Sequence, residues 1–259
     1  EITADAKRLG PLVDRHGSAA QRANFLRNLV LAAFRTDRYL VSDQTLAHAR
    51  ASAEAAAEAR RPMILAHAEF ALGFCHMWRD ELPAALSGLE QALRLAERIG
   101  DAERIVLCLS YLTVVHRKRG DLPSTQEYLE RSLRAAAESK MHAYAALARA
   151  NQAWLAWRAG DLAATMEHGR AAVTGWGSLS FPARGLALWP LAGTALAEGR
   201  PAEAIEQFRA MLATDQMRFP EELELPMNLA LASWAASDRQ EALTKLEESA
   251  AAATRRGYL

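Results

Sequence analysis

The sequence contains few of the features that mark a disulfide-linked, membrane-spanning or nucleic-acid-binding protein. Its only two cysteines, Cys75 and Cys108, form no Cys-x-x-Cys pair, so we expect both to pack as small apolar side chains in a reducing, cytoplasmic setting. No run of about 18 apolar residues occurs, so no segment is predicted to cross a membrane. The 31 basic and 31 acidic residues balance to zero formal charge, which argues against direct binding of nucleic acid.

Catalytic signatures are lacking as well. The chain has no Gly-rich phosphate loop, no His-Glu-x-x-His and no Gly-x-Ser-x-Gly motif, which are the patterns that would indicate nucleotide, zinc or serine-hydrolase chemistry. His76 and His116 occupy equivalent places 40 residues apart, but a metal site would need further ligands. We therefore predict structural packing for both histidines, and a protein that is not an enzyme and holds no metal or cofactor.

A repeated helix-turn-helix pattern is the main feature that the sequence does contain. Leu82, Leu122 and Leu162 each follow a short polar turn, at intervals of 40 residues. A period of this length, with helical rather than alternating hydrophobicity, predicts an all-α solenoid of about six helix pairs. One position in the first helix of each pair aligns the repeats, and it is leucine in every repeat but one, which has Gln152. These positions are Leu29, Leu72, Leu112, Gln152, Leu191 and Leu229.

Small and large residues alternate in a fixed order within the repeats. A Leu-Gly pair, Leu72-Gly73, lies in one first helix, and each second helix opens with a small residue that is usually followed four positions later by a large one. The small openers are Ala85, Thr125, Thr165, Ala204 and Ala242, and the large residues are Leu89, Leu129, Phe208 and Leu246. We expect the small residues to lie where two helices approach closely.

This pattern resembles the tetratricopeptide repeat (TPR) along nearly the whole chain. It departs from that family in its period, which exceeds the usual 34 residues, and in having His76 and His116 where an aromatic residue is usual. Longer, degenerate copies resemble the arrays of large bacterial ATP-dependent LuxR-type and maltose-regulon-type transcription regulators and of cyclase-linked ATPases. The resemblance implies a right-handed superhelical solenoid and effector domains fused outside this chain. The chain begins at Glu1 without Met, and we expect it to be part of a longer protein.

The array is predicted to occupy residues 18–259, after a helical lead-in at residues 1–17. The lead-in, Ile2 to His16, is predicted to be a helix broken at Gly10-Pro11, and Ser18 with Gln21 forms a capping box for the first repeat helix. From about residue 174 the pattern loosens, and Pro190 falls inside a predicted first helix, where it should remove a backbone hydrogen bond and bend the helix.

Aromatic residues, arginine and asparagine collect on one face of the predicted first helices. In TPR arrays this face lines the inside of the superhelix, and five of the six tryptophans fall on it. Tryptophan and tyrosine offer large rigid contact areas and arginine offers a planar fork for carboxylate or phosphate, so the face suits a binding groove. The predicted ligand-binding residues are Arg27, Asn28, Arg35, Phe70, Phe74, Trp78, Tyr111, Arg117, Asn151, Trp154, Trp157, Arg158, Trp189, Asn228 and Trp234.

The same aromatic stripe could instead be packing between repeats, because aromatic residues at helical spacing usually belong to a core. The arginines favour the groove, since a buried core does not tolerate unpaired guanidinium groups. We therefore predict a non-enzymatic module that binds a protein, a peptide or a small-molecule effector and serves as the sensor of a larger bacterial signalling protein. The alternative is a scaffold that associates with another protein, or with itself, through its convex face or its terminal repeats.

Overall fold

The computed structural model describes residues 2–259, with side chains from residue 8 onward. Within this range all thirteen elements are α-helices and there is no strand, which confirms the all-α prediction. None of the described helices is long and apolar enough to cross a membrane. The helices are α1 Ile2–His16, α2 Ala19–Thr36, α3 Asp43–Ala59, α4 Pro62–Trp78, α5 Leu82–Ile99, α6 Ala102–Arg119, α7 Leu122–Glu138, α8 His142–Arg158, α9 Leu162–Trp176, α10 Gly185–Ala197, α11 Pro201–Met211, α12 Glu221–Ala235 and α13 Arg239–Arg255.

The helix boundaries follow the signals in the sequence. Ser18 and Gln21 form the predicted capping box at the start of α2, where they satisfy backbone N–H groups that have no partner within the helix. Pro62 lies in the first turn of α4, a position where its missing N–H costs nothing. Gly100 ends α5 with a φ of 70°, a left-handed conformation that glycine adopts without steric cost.

The predicted break at Gly10-Pro11 is wrong, because α1 runs without interruption from Ile2 to His16 with Pro11 inside it. Proline removes one backbone hydrogen bond and crowds the preceding turn, but its fixed φ is itself helical, so a helix can continue through it. Pro190 in α10 and Pro226 in α12 are likewise accommodated within single helices.

The chain divides into two compact units, Glu1–Val115 and His116–Leu259, hereafter unit 1 and unit 2. In unit 1, α2 packs on α3 and α4 on α5, and α4 also contacts both α2 and α3. In unit 2, α8 packs on α9, α10 on α11 and α12 on α13, and α8 also contacts α10. This packing of consecutive helices is compatible with a solenoid.

Small residues lie where α4 and α5 cross, as their place in the repeat predicts. A Cβ atom added at Gly73 would lie only 2.8 Å from the backbone nitrogen of Leu89 and 3.2 Å from the carbonyl oxygen of Ala85. Gly88, on the facing helix, has the backbone of Gly73 at a similar distance. The two helix backbones therefore approach more closely than any residue larger than glycine permits.

Replacing Gly73 with alanine is expected to destabilise unit 1 by about 1–3 kcal/mol, because the new methyl group meets backbone rather than a movable side chain. A loss of stability would be diagnostic of the close helix contact, since alanine in a helix interior is otherwise favoured over glycine by about 1 kcal/mol. Urea unfolding followed by circular dichroism measures the change, and Ser87→Ala, at an exposed site on α5, serves as the control. A Gly73→Ala protein as stable as the parent would show that α4 and α5 can separate freely.

Candidate functional site

Six aromatic side chains form a continuous row across three helices of unit 1. The row joins rings from α2, α4 and α6 with one ring from the turn after α2. The centroids of Phe74 and Tyr111 lie 4.6 Å apart, those of Phe34 and Phe74 5.0 Å, and those of Phe74 and Trp78 5.8 Å. We call this set the aromatic row, and its members are Phe34, Tyr39, Phe70, Phe74, Trp78 and Tyr111.

The aromatic row has a buried centre and partly open ends. Phe34, Phe74 and Tyr111 are buried, whereas Phe70 and Trp78 are only partly buried. Edge-to-face contacts between neighbouring rings fix the geometry of such a row. Phe70 and Trp78 thus keep part of their surface accessible to solvent on a rigid base. The structure brings four predicted site residues, Phe70, Phe74, Trp78 and Tyr111, together in one place.

The spacing of residues on the predicted first helices did not indicate that Tyr39 belongs to the row. Arg38 and Tyr39 both adopt positive φ angles, 48° and 67°, and this left-handed turn folds the Tyr39 ring back onto Phe34, with centroids 5.5 Å apart. Burial raises the pKa of the Tyr39 hydroxyl, and the nearby charge of Arg35 offsets this effect only in part. The available signal was an aromatic residue directly after a helix end, in a turn without glycine.

A cluster of polar side chains adjoins the Phe70 end of the row. The Arg104 guanidinium lies over the Phe70 ring, 4.6 Å from its centroid, and His67 Nε2 lies 3.0 Å from Asp101 Oδ2. The other carboxylate oxygen of Asp101 accepts a 3.0 Å hydrogen bond from the Arg104 backbone N–H. Arg27, on α2, is partly buried, and its Nε has no hydrogen-bond partner in the described part of the chain.

In this polar cluster, burial and neighbouring positive charges lower the pKa values of Arg27 and His67. Burial lowers the pKa of the Arg27 guanidinium, and the charge of Arg104 lowers it further. Burial also lowers the pKa of His67, and Arg104 and Arg27 add to that effect, although the hydrogen bond to Asp101 opposes it. The two guanidinium groups and the imidazole are therefore close enough to repel one another when charged.

Within residues 8–259, the remaining predicted residues of unit 1 form no hydrogen bond to the aromatic row, although the charge of Arg35 acts on Tyr39. Asn28 and Arg35 are exposed on α2, and neither makes a hydrogen bond to the aromatic row among the described residues. Their predicted contact with a ligand stays a prediction.

In unit 2, Arg117 is fully buried at the centre of a hydrogen-bond network. Its Nη2 donates to the carbonyl oxygen of Tyr258 at 2.6 Å and its Nε to that of Gly257 at 3.2 Å. Its Nη1 donates to the Leu186 carbonyl at 2.9 Å and to Asn151 Oδ1 at 3.3 Å. Burial lowers the pKa of this guanidinium to about 9, so it stays charged at neutral pH and is held by neutral acceptors.

The tryptophans predicted to face a groove pack around this network. Trp154 is fully buried, with the Arg117 guanidinium 5.4 Å and the Arg158 guanidinium 5.2 Å from its ring. Trp189 is also fully buried, 5.3 Å from the ring of Phe208. In the described structure, Arg117, Asn151, Trp154 and Trp189 contact other protein groups rather than solvent, and their role in ligand binding stays a prediction.

The residues that cover the network come from the end of the sequence. Tyr258 and Leu259 are buried, and the Tyr258 ring lies 5.4 Å from that of Phe219 and beneath the Lys118 ammonium group at 5.0 Å. Gly257 has a φ of 71°, and a Cβ atom there would lie 2.5 Å from the Lys118 Cα. The close approach therefore requires glycine, and the sequence signal was a Gly-Tyr-Leu segment directly after a helix.

The other predicted residues of unit 2 make local contacts or are partly open. Asn228 is exposed and donates to the Glu224 carbonyl at 2.7 Å. Trp234 is partly buried, with the Arg239 guanidinium 3.7 Å from its ring. Trp157 is partly buried and lies near Gly193, where an added Cβ atom would be 3.1 Å from its ring. Arg158 is exposed apart from its contact with Trp154.

The two histidines at equivalent repeat positions each pair with an acid five residues later. His76 Nδ1 lies 2.5 Å from Glu81 Oε2, and His116 Nδ1 lies 3.3 Å from Asp121 Oδ2. Each pair ties the end of a first helix to the cap of the next helix, which gives both histidines a structural role. Residues 8–259 contain no group of three or more His, Cys, Asp or Glu side chains that could hold a metal ion.

A comparison with protein-family models and a comparison with curated proteins each gave no match. The resemblance to tetratricopeptide arrays therefore stays a prediction from the repeat pattern.

Proposed function

We propose that the chain is a non-enzymatic binding module of six TPR-like helix pairs in a right-handed superhelix, and that its ligand binds along the aromatic row of unit 1. The observation that carries this proposal is the partly buried Phe70 end of the row, beside the guanidinium group of Arg104. The Nε atoms of Arg104 and Arg27 have no hydrogen-bond partner among the described residues, and Trp78 in the same row is also only partly buried. Rigid aromatic faces next to unsatisfied donors are the features of a binding surface.

Unit 1 is the better candidate because the corresponding face of unit 2 is filled. Arg117, Trp154 and Trp189 are covered by residues of unit 2 itself, whereas Trp78 and Phe70 keep exposed surface. The ligand is a peptide or a small molecule with a flat or apolar part that stacks on these rings. Within a larger bacterial signalling or transcription-regulator protein, such binding would shift the relation between repeats and bias an effector domain.

Binding is favoured over catalysis by the roles of the titratable side chains. His76 is engaged by Glu81 and His67 by Asp101, and burial raises the thiol pKa of Cys75 and of Cys108 to about 12. Such thiols are protonated and unreactive at neutral pH.

A ligand screen that uses the thermal melting temperature and tryptophan fluorescence tests the proposal. A ligand found among sugars, nucleotides, metabolites and peptides raises the melting temperature, because it binds the folded state. Trp78→Ala is expected to weaken its binding about tenfold or more, as truncation of an aromatic anchor does, while helicity is retained because Trp78 is partly exposed. Trp234→Ala, which removes a partly exposed tryptophan in unit 2, should leave the affinity unchanged.

Self-association is the second candidate function, and one observation favours it. Leu225 and Leu229, one helical turn apart on α12, are 54% and 42% exposed, which gives this helix an apolar strip without cover from the described residues. If no compound of the panel binds, light scattering that shows a concentration-dependent size, abolished by Leu225→Glu, would replace the ligand-binding proposal with a scaffold.

A further inference from the structure

Two neighbouring guanidinium groups in unit 1 form no salt bridge with the described residues, although the Asp101 carboxylate is close enough for the charge of Arg104 to lower its pKa. The side chains of Arg27 and Arg104 are both partly buried, and the Nε of each is shielded from solvent without a hydrogen-bond partner among the described residues. Neither side chain forms a salt bridge in residues 8–259. Other partly buried arginines of the same unit do find acids, as Arg79 does with Asp43 and Glu81.

Two acids on the neighbouring elements, at the start of α6 and on α4, are engaged with other groups. Asp101 accepts from His67 through one oxygen and from the Arg104 backbone through the other. Glu69, on α4, pairs with Gln91, and burial raises the pKa of its carboxyl group. An unsatisfied buried donor is unfavourable, and more so when it is charged, so the two shielded Nε groups are in a state that a bound anion would relieve.

We propose that Arg27 and Arg104 bind the phosphate or carboxylate group of a ligand whose apolar part lies along Phe70. The Arg104 guanidinium lies over the Phe70 ring, 4.6 Å from its centroid, and a planar guanidinium fork matches the geometry of an oxyanion. Arg27, on α2, is near enough for the charge of Arg104 to lower its pKa, and it would supply a second fork. The proposal deepens the function given above and rests on it for the position of the ligand's apolar part.

His67 is a titratable side chain in the same place. Its Nε2 is fixed by Asp101 at 3.0 Å, and burial, with a contribution from Arg104 and Arg27, keeps its pKa below the ordinary value. A bound anion would offset the charge of the arginines and let the imidazole accept a proton more readily. The three groups come from α2, α4 and α6, so one anion would link three helices of the unit.

Thermal melting of the full chain tests the proposal. The anions are inorganic pyrophosphate, inorganic phosphate and succinate, each at a constant ionic strength set with chloride. At least one of these anions is expected to raise the melting temperature in a saturable way. Arg27→Met and Arg104→Met are each expected to weaken that anion about 10- to 100-fold, because each removes a charge-assisted set of hydrogen bonds. Arg50→Met, at an exposed site on α3, is the matched control and should bind as the parent does.

The ligand-free melting temperature separates binding from a structural role. If the arginines repel one another without a partner, Arg27→Met should be at least as stable as the parent without ligand, and circular dichroism confirms that it folds. A lower melting temperature in both variants, with an unchanged response to the anions, would overturn the proposal. A response to pyrophosphate or phosphate alone would assign the site to a phosphate group, and a response to succinate alone would assign it to a carboxylate.

The two proposals fail in different ways. If uncharged aromatic compounds bind in a Trp78-dependent manner while all three anions leave the melting temperature unchanged, the anion site is wrong and the binding function stands. If neither the anions nor the wider panel binds, both proposals are wrong.

Discussion

Replacing Arg117 with alanine is expected to destabilise unit 2 by about 3–5 kcal/mol, the largest loss that we expect for any single charged residue of the chain. The guanidinium supplies hydrogen bonds to the carbonyl groups of Leu186, Gly257 and Tyr258 and to the Asn151 amide oxygen. All four acceptors are left without this donor in the variant, and each buried polar group without a partner costs about 1–3 kcal/mol. The cavity left by the side chain adds to the loss.

Urea unfolding followed by tryptophan fluorescence measures this change, because five of the six tryptophans belong to unit 2. Arg119→Ala, two residues further along α6 and exposed, should change the free energy of unfolding by less than about 0.5 kcal/mol. Arg117→Lys keeps the charge but cannot direct three separate N–H groups at these carbonyls, so we expect a loss close to that of alanine. A stable Arg117→Lys protein would mean that charge alone, rather than the hydrogen-bond geometry, holds the segment 257–259.

The all-α fold and several helix boundaries were predictable because their signals are local. Capping boxes, first-turn prolines and the small residues at helix crossings act within one or two helices, and Ser18, Pro62 and Gly73 all lie where the repeat pattern placed them. The break at Gly10-Pro11 was predicted wrongly, because a proline's effect on a helix depends on whether packing of that helix outweighs one missing hydrogen bond.

The candidate site in unit 1 was predictable in part for the same reason. The helix frame placed Phe70, Phe74 and Trp78 on one face of α4, and the structure joins them to Tyr111 of α6. The frame could not include Arg104, which lies in the first turn of α6 before the repeat positions begin. Tyr39 was missed because its ring enters the row through a left-handed turn and not through helical spacing.

The interior of unit 2 could not be predicted from periodicity. The repeat frame grouped Arg117, Asn151 and Trp154, but the groups that cover them are 140 and 141 residues from Arg117 in the sequence. Periodicity along a chain specifies which faces of neighbouring helices meet. It does not specify which distant segment closes over them, since that depends on small rotations accumulated from one repeat to the next.

Replacing Trp154 with alanine is therefore expected to destabilise unit 2 by about 3–5 kcal/mol, the usual cost of truncating a fully buried aromatic side chain. The ring has no exposed surface, and the guanidinium groups of Arg117 and Arg158 each lie about 5 Å from its centroid. Removing it creates a cavity directly beside the buried charge of Arg117, so the loss should lie toward the upper end of that range.

The effect of Trp154→Ala on stability decides between the two interpretations of the aromatic stripe in unit 2. If Trp154 belongs to the core, Trp154→Ala lowers the urea midpoint strongly, whereas Trp154→Phe, which keeps most of the buried apolar area, loses only about half as much. Trp234→Ala, which removes a partly exposed ring in the same unit, should change little. If Trp154 instead contacts a ligand, Trp154→Ala would keep parental stability and lose affinity in the ligand screen. That outcome would require the segment 257–259 to leave the interior of unit 2, because Tyr258 is bound to the same arginine that stacks on Trp154.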